Sequence, residues 1–87
     1  MLYLISYDVA EPDYNRDAVE KVIESLGEFR KVLTTTYFVS TASGTSEISN
    51  AIGTQIEEKD SFVVIDMVGH IYGSLDDEHW SWLKSTM

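Results

Sequence analysis

One acidic side chain stands out by its position. Asp8 closes the run MLYLISYD at the start of the chain, directly after Leu2, Tyr3, Leu4, Ile5 and Tyr7. A carboxylate at the end of an apolar strand is presented at the edge of a sheet. There it can ligate a hard divalent cation such as Mg²⁺ or Mn²⁺, which prefers oxygen donors and keeps several waters. Such an ion can activate water and offset the charge of a phosphodiester transition state. Glu11 and Asp13 follow closely and can add oxygens around Asp8, and Ser6 and Tyr7 adjoin it. The competing role for Asp8 is plainer: an Asx-type hydrogen bond to the turn after the strand.

Other chemistry-bearing residues are more dispersed. Asp66 interrupts the apolar run SFVVIDMV, where a lone carboxylate needs a partner or water. It is read as solvent-facing or hydrogen-bonded across an interface, at the end of the sheet opposite Asp8. His70 and His79 can in principle work as an acid–base pair. With no companion signature around them, they are read as structural. The aromatic residues Tyr3, Tyr7, Phe29, Tyr37, Trp80 and Trp82 can stack on bases, but basic residues adjoin only Phe29, at Arg30 and Lys31. Core and interface packing accounts for them better. There is no phosphate loop, no dinucleotide glycine fingerprint and no nucleophile elbow.

The balance of charge bears on partners. Fifteen acids against six bases give a net charge of −9. Nucleic-acid affinity comes largely from Lys and Arg neutralising phosphates, so this composition disfavours tight nucleic-acid binding without a bridging metal. No cysteine is present, which excludes disulfides and thiolate zinc sites. No run approaches a membrane span, and no basic segment precedes an apolar one as in a signal peptide. The cytoplasm is the expected compartment. At 87 residues the expectation is a single domain over 1–87, of a size often stabilised by dimerisation.

The elements that hold Asp8 follow from the pattern. Residues 1–8 read as a central strand. Residues 14–26 read as a helix with Tyr14, Ala18, Val19, Val22, Ile23 and Leu26 on one stripe, capped by Asp13 or Asn15 after the turn at Pro12. Asp17 and Lys21 form an i, i+4 pair, and Gly27 supplies a left-handed residue past the helix end. EFRKVL at 28–33 is a polar, edge-like strand, and 35–41 a third strand with Tyr37 and Val39 opposite in sense to Phe38. A second helix spans 47–57, capped by Thr45 or Ser46, with Gly53 inside it. The run 61–68 suits a strand covered on both faces. A third helix spans 75–85, capped by Ser74 with Asp77, with Leu75, His79, Trp82 and Leu83 on its stripe and Trp80 off it.

The order βαββαβ plus a C-terminal helix predicts an α+β, ferredoxin-like antiparallel sheet, order 4-1-3-2, with the first two helices on one face. Leu2 and Leu4, with Phe62 and Val64, are expected on the other face, where the C-terminal helix, a second copy of the chain, or both must cover them. A homodimer is therefore expected.

Several stretches together resemble the SinR-like proteins, within the superfamily of the CRISPR-associated Cas-two proteins. They are LYLISYDV near the start, Gly27 followed by a strand, TTYFV at 35–39, DSFVVIDMVG at 60–69 and WSWLK at 80–84. The resemblance spans nearly the whole chain. It implies a ferredoxin-like fold, a homodimer built sheet against sheet, and an Asp ending the first strand, here Asp8. In metal-dependent members of the superfamily the two copies of that Asp lie near the dimer axis and bind one divalent ion. Some members cleave RNA or DNA, others bridge integrase dimers during spacer capture, and a related toxin family is ribonucleolytic. This chain departs from the pattern in ending with a Trp-containing helix in place of a fifth strand and in lacking a basic surface. The expected function is thus that of a homodimeric structural or interaction protein, with a metal-dependent endonuclease using Asp8 from both chains as the alternative.

Overall fold

The computed structural model describes residues 1–9, 14–56, 60–69 and 71–86. Within them, four strands and three helices follow one another as β1 (Leu2–Asp8), α1 (Tyr14–Glu24), β2 (Glu28–Leu33), β3 (Thr36–Ser40), α2 (Thr45–Gly53), β4 (Ser61–Asp66) and α3 (Asp77–Thr86). The strands form one antiparallel sheet in the order β2-β3-β1-β4. This α+β arrangement is consistent with a ferredoxin-like fold.

Period-two alternation along β1 divides the molecule into two cores. Tyr3, Ile5 and Tyr7 point to one face with Tyr37 and Val39 of β3, where Val19 and Ile23 of α1 and Ile48 and Ile52 of α2 close over them. Leu2 and Phe38 point to the other face, joined by Val32 and covered by Leu83 of α3, with Leu4, Leu75, Trp80 and Trp82 packed around. The C-terminal helix therefore covers its own chain's sheet.

The β1–β4 register corrects one expectation. Tyr7 pairs with Phe62 and Ile5 with Val64, and directly paired residues share a face. Phe62 and Val64 consequently pack toward α1 and α2, not onto the α3 face. Val63 and Ile65 take the α3 face beside Ser6 and Leu4. Each stays 48% exposed, so β4 is not covered on both faces despite its unbroken apolar sequence. It also ends at Asp66, two residues short of the predicted strand.

The helix ends differ for local reasons. α1 stops at Glu24, and its i, i+4 ion pair is Arg16–Glu20 at 3.1 Å rather than Asp17–Lys21. Asn15 lies inside α1, which begins at Tyr14, and so is not its cap; Asp13 and the turn at Pro12 lie outside the described residues. α2 begins at Thr45 because Gly44 is its N-cap: the Gly44 N–H donates to Glu47 Oε1 at 3.2 Å, the carboxylate half of a capping box. α2 ends at Gly53, which removes that glycine from the helix interior. α3 begins at Asp77, with the Asp76 carbonyl accepting from the His79 N–H at 3.0 Å, which places the cap two residues beyond Ser74. Leu75 then packs against the sheet from outside the helix.

Gly27 has a different reason to be glycine from the one the sequence suggests. The glycine with positive φ is Gly69, not Gly27. A Cβ on Gly27 would instead sit 2.2 Å from the Ser40 carbonyl oxygen, a backbone atom. Gly27 is there so that the entry to β2 can press against the end of β3. Gly27→Ala is expected to cost about 1–3 kcal/mol, as overpacking does. Its urea midpoint should fall accordingly, whereas Gly53→Ala, with open space around it, should not fall.

Candidate functional site

Asp8 sits where the sequence places it, exposed at the end of β1 and paired in register with Ser61. It borders a shallow cleft of about 350 Å³ shared with Ser6, Tyr7, Thr35, Ser61 and Val63. Phe62 completes its lining, which is mainly apolar, with hydroxyls at Ser6, Thr35 and Ser61; the Ser6 and Thr36 hydroxyls lie 3.3 Å apart. Asp66 pairs with Tyr3, at the other end of β4 from Ser61. The two acids are thus separated by the length of the strand. Glu11, Asp13 and His70 lie outside the described residues. His79 lies half-buried on α3 with its Nδ1 buried and unpaired.

Among the described residues, the donor set within one chain does not fit a resident divalent ion. Among the described residues no three His, Cys, Asp or Glu side chains gather to hold a metal. Asp8 offers one carboxylate with neutral hydroxyls around it. The Asp8 of another chain, brought close, would complete a site of the kind the resemblance implies.

A denser polar constellation lies on the helix face, and the sequence reading missed it. Glu20 of α1 accepts three hydrogen bonds on one carboxylate oxygen. They come from the Tyr7 hydroxyl, from Arg16 Nε at 3.1 Å and from Lys31 Nζ at 2.9 Å. Arg16 also donates to the Thr34 carbonyl at 2.7 Å. One turn on, Glu24 accepts from the Tyr37 hydroxyl at 2.6 Å. The Tyr7 and Tyr37 rings stack 6.3 Å apart, Phe29 meets Tyr37 edge-on at 5.9 Å, and Lys31 lies 5.8 Å from the Tyr37 ring centre. The network ties α1 to β1, β2 and β3 at the Asp8 end of the sheet.

Its electrostatics follow from burial and charge. Burial alone would raise the Glu20 carboxyl, but the donors Tyr7, Lys31 and Arg16 together outweigh it and hold Glu20 below the usual carboxylate range. Burial first, then the hydrogen bond and charge of Glu20, push the Tyr7 phenol far above its ordinary value. Burial and the Glu24 hydrogen bond do the same to Tyr37. Its donors are matched to the carboxylates of Glu20 and Glu24 and to the Thr34 carbonyl, so it clamps α1 to the sheet. Its one sequence signal was the i, i+4 spacing of Arg16, Glu20 and Glu24, which says nothing about tyrosines on strands.

No family model and no curated protein sequence matches the chain. Among solved structures, the chain is similar to the crystal structure of a hypothetical protein, TT1823, from Thermus thermophilus. The two share 16% identity over 86% of this chain and 93% of the other, with a TM-score of 0.67. A likeness at that identity carries the fold alone.

Proposed function

We propose that the chain is a Cas-two-like, SinR-like protein of ferredoxin-like fold that works in the cytoplasm as a homodimeric structural or interaction protein. The carrying observation is the uncovered half of the α3 face. α3 closes over Leu2, Val32 and Phe38, but Val63 and Ile65 of β4 remain 48% exposed each, with Leu33, Val68 and Tyr72 also exposed. Branched apolar side chains left in water on an ordered strand mark an interaction surface. A second copy is the occupant the resemblance implies. The charge of −9 argues against a nucleic-acid phosphate backbone as the resident partner.

The second reading is a weak divalent-metal-dependent endonuclease. The exposure of Asp8 at a cleft that also carries the Ser6, Thr35 and Ser61 hydroxyls favours it, and it requires Asp8 from two chains. Incubating the wild type and Asp8→Ala with RNA and DNA, with and without Mg²⁺ or Mn²⁺, separates the readings. The interaction reading expects no cleavage above the Asp8→Ala background. Cleavage that needs both the metal and Asp8 would overturn it in favour of the nuclease.

A further inference from the structure

A cavity of about 260 Å³ lies on the α3 face, between the sheet and the C-terminal segment. It is sized for a small molecule, below the roughly 300–1,000 Å³ of most ligand pockets. Three elements supply aromatic residues to it. Phe38 of β3, 4% exposed, lies at its floor, Trp80 of α3 is half-buried along it, and Tyr72, 91% exposed, stands at its rim between β4 and α3. Residues far apart in sequence thus bring three aromatic groups to one small space.

The lining restricts what can enter. Among the described residues that form it, none carries a formal charge, and the polar side chains are the hydroxyls of Thr36, Tyr72 and Ser74. An anion would give up its hydration there without meeting a cation. A small, strongly hydrated cation would do so without meeting a carboxylate. The choice left is between a neutral apolar molecule and an organic cation whose charge is shielded by carbon and weakly hydrated.

The charge around the cavity decides between them. Met67 and Leu75 both line it; Asp66 precedes the first, and Asp76 and Asp77 follow the second. The bases nearest in sequence to the lining residue Val32 are each engaged by an acid, Arg30 by Glu78 at 3.6 Å and Lys31 by Glu20 at 2.9 Å. The field left at the cavity is that of a chain with a net charge of −9. It draws in a cation and opposes a ligand that carries a phosphate or carboxylate. The rings act in the same sense, because an aromatic face attracts a cation held within about 6 Å of its centre. An aliphatic lining would offer no such preference over the neutral molecule.

We propose that this cavity binds a small quaternary ammonium compound with no attached anion. Its methyl groups fill the apolar space, and its charge lies against the rings of Trp80, Phe38 and Tyr72. Tyr72 sets the rim beside the exposed part of the α3 face, but Val63 and Ile65, which carry the homodimer reading, do not line the cavity. The ligand site and the homodimer therefore stand or fall separately.

Three probes test the proposal: choline, its uncharged carbon isostere neohexyl alcohol, and phosphocholine. Each is titrated into the wild-type chain and followed through the indole N–H signals of the two tryptophans in a nitrogen–proton NMR correlation spectrum. Trp82 does not line the cavity and serves as the internal reference. Choline is expected to move the Trp80 signal more than the Trp82 signal. It should bind roughly tenfold more tightly than neohexyl alcohol, as a desolvated cation–π contact allows, and more tightly than phosphocholine. Trp80→Leu keeps the wall apolar and should abolish the advantage of choline over the alcohol. If that variant does not fold by circular dichroism, Tyr72→Leu, at an exposed position, takes its place; it should weaken choline several-fold and leave the alcohol unchanged. Neohexyl alcohol binding as tightly as choline would overturn the cation assignment. Phosphocholine binding more tightly than choline would overturn it in favour of a lipid-type headgroup. A Trp80 signal that none of the three moves would overturn the site itself.

Discussion

Raising the pH from 9 to 11.5 is expected to destabilise the protein by about 4 kcal/mol, a substantial share of the total stability of a domain of this size. Tyr7 is 3% exposed and Tyr37 0%, and each phenol donates to a carboxylate, Glu20 and Glu24. Ionising either would bury a phenolate beside a carboxylate. Both folded values are consequently raised well above the ordinary one near 10. The sign follows from linkage. A raised folded value gives stability that is complete below the unfolded pKa and is lost as pH climbs above it, because the unfolded state releases protons the folded state keeps. Each phenol therefore costs about 1.4 kcal/mol per pH unit above 10, or about 2 kcal/mol at pH 11.5. Total stability for 87 residues is of order 4–13 kcal/mol. Urea midpoints across this range should fall steeply. Tyr7→Phe should halve the slope while lowering the midpoint at pH 7. A flat profile to pH 11.5 would mean that the phenols titrate freely and that the network does not clamp α1.

Leu83→Ala is expected to cost about 2–5 kcal/mol, the range for a fully buried leucine. Leu83 is 2% exposed and is the one fully buried side chain of α3. It meets Leu2, Val32 and Phe38 on the sheet. Losing it should loosen the helix and bare that cluster, so the variant should bind an apolar dye such as ANS. Val63→Ala, on the same face but half-exposed, should change monomer stability by no more than about 0.5 kcal/mol. The contrast separates the covered half of the face from the open half. It also distinguishes a helix packed on its own chain from one lent to a partner. In the first case the Leu83→Ala cost is independent of protein concentration; a cost that disappears on dilution would show that α3 docks elsewhere.

The sequence was informative wherever local pattern decides structure. EFRKVL is both the predicted strand and β2, because three charged residues among strand formers suit an edge. The opposed senses of Tyr37 and Phe38 follow from strand alternation alone and place them in separate cores. Asp8 was legible as a strand-ending acid for the same reason. What stayed hidden depends on partners distant in sequence. An apolar run such as SFVVID has no polar alternation to show which parity faces which side. Its pairing with β1 settles that, and it sends Phe62 and Val64 toward the helices. Gly27 answers to Ser40 across the strand ends. The Glu20 network needs α1 laid over the sheet before Tyr7 and Lys31 meet Arg16 on the Glu20 carboxylate.

Among these hidden features, the parity of β4 matters most for function, because it leaves Val63 and Ile65 in water on a strand that ends the sheet. Sedimentation equilibrium of the wild-type chain at micromolar concentration tests the consequence directly. The expected result is a species of twice the chain mass, dissociating only on dilution. A single species of one chain's mass at that concentration would contradict the homodimer and with it the interaction role assigned to this face.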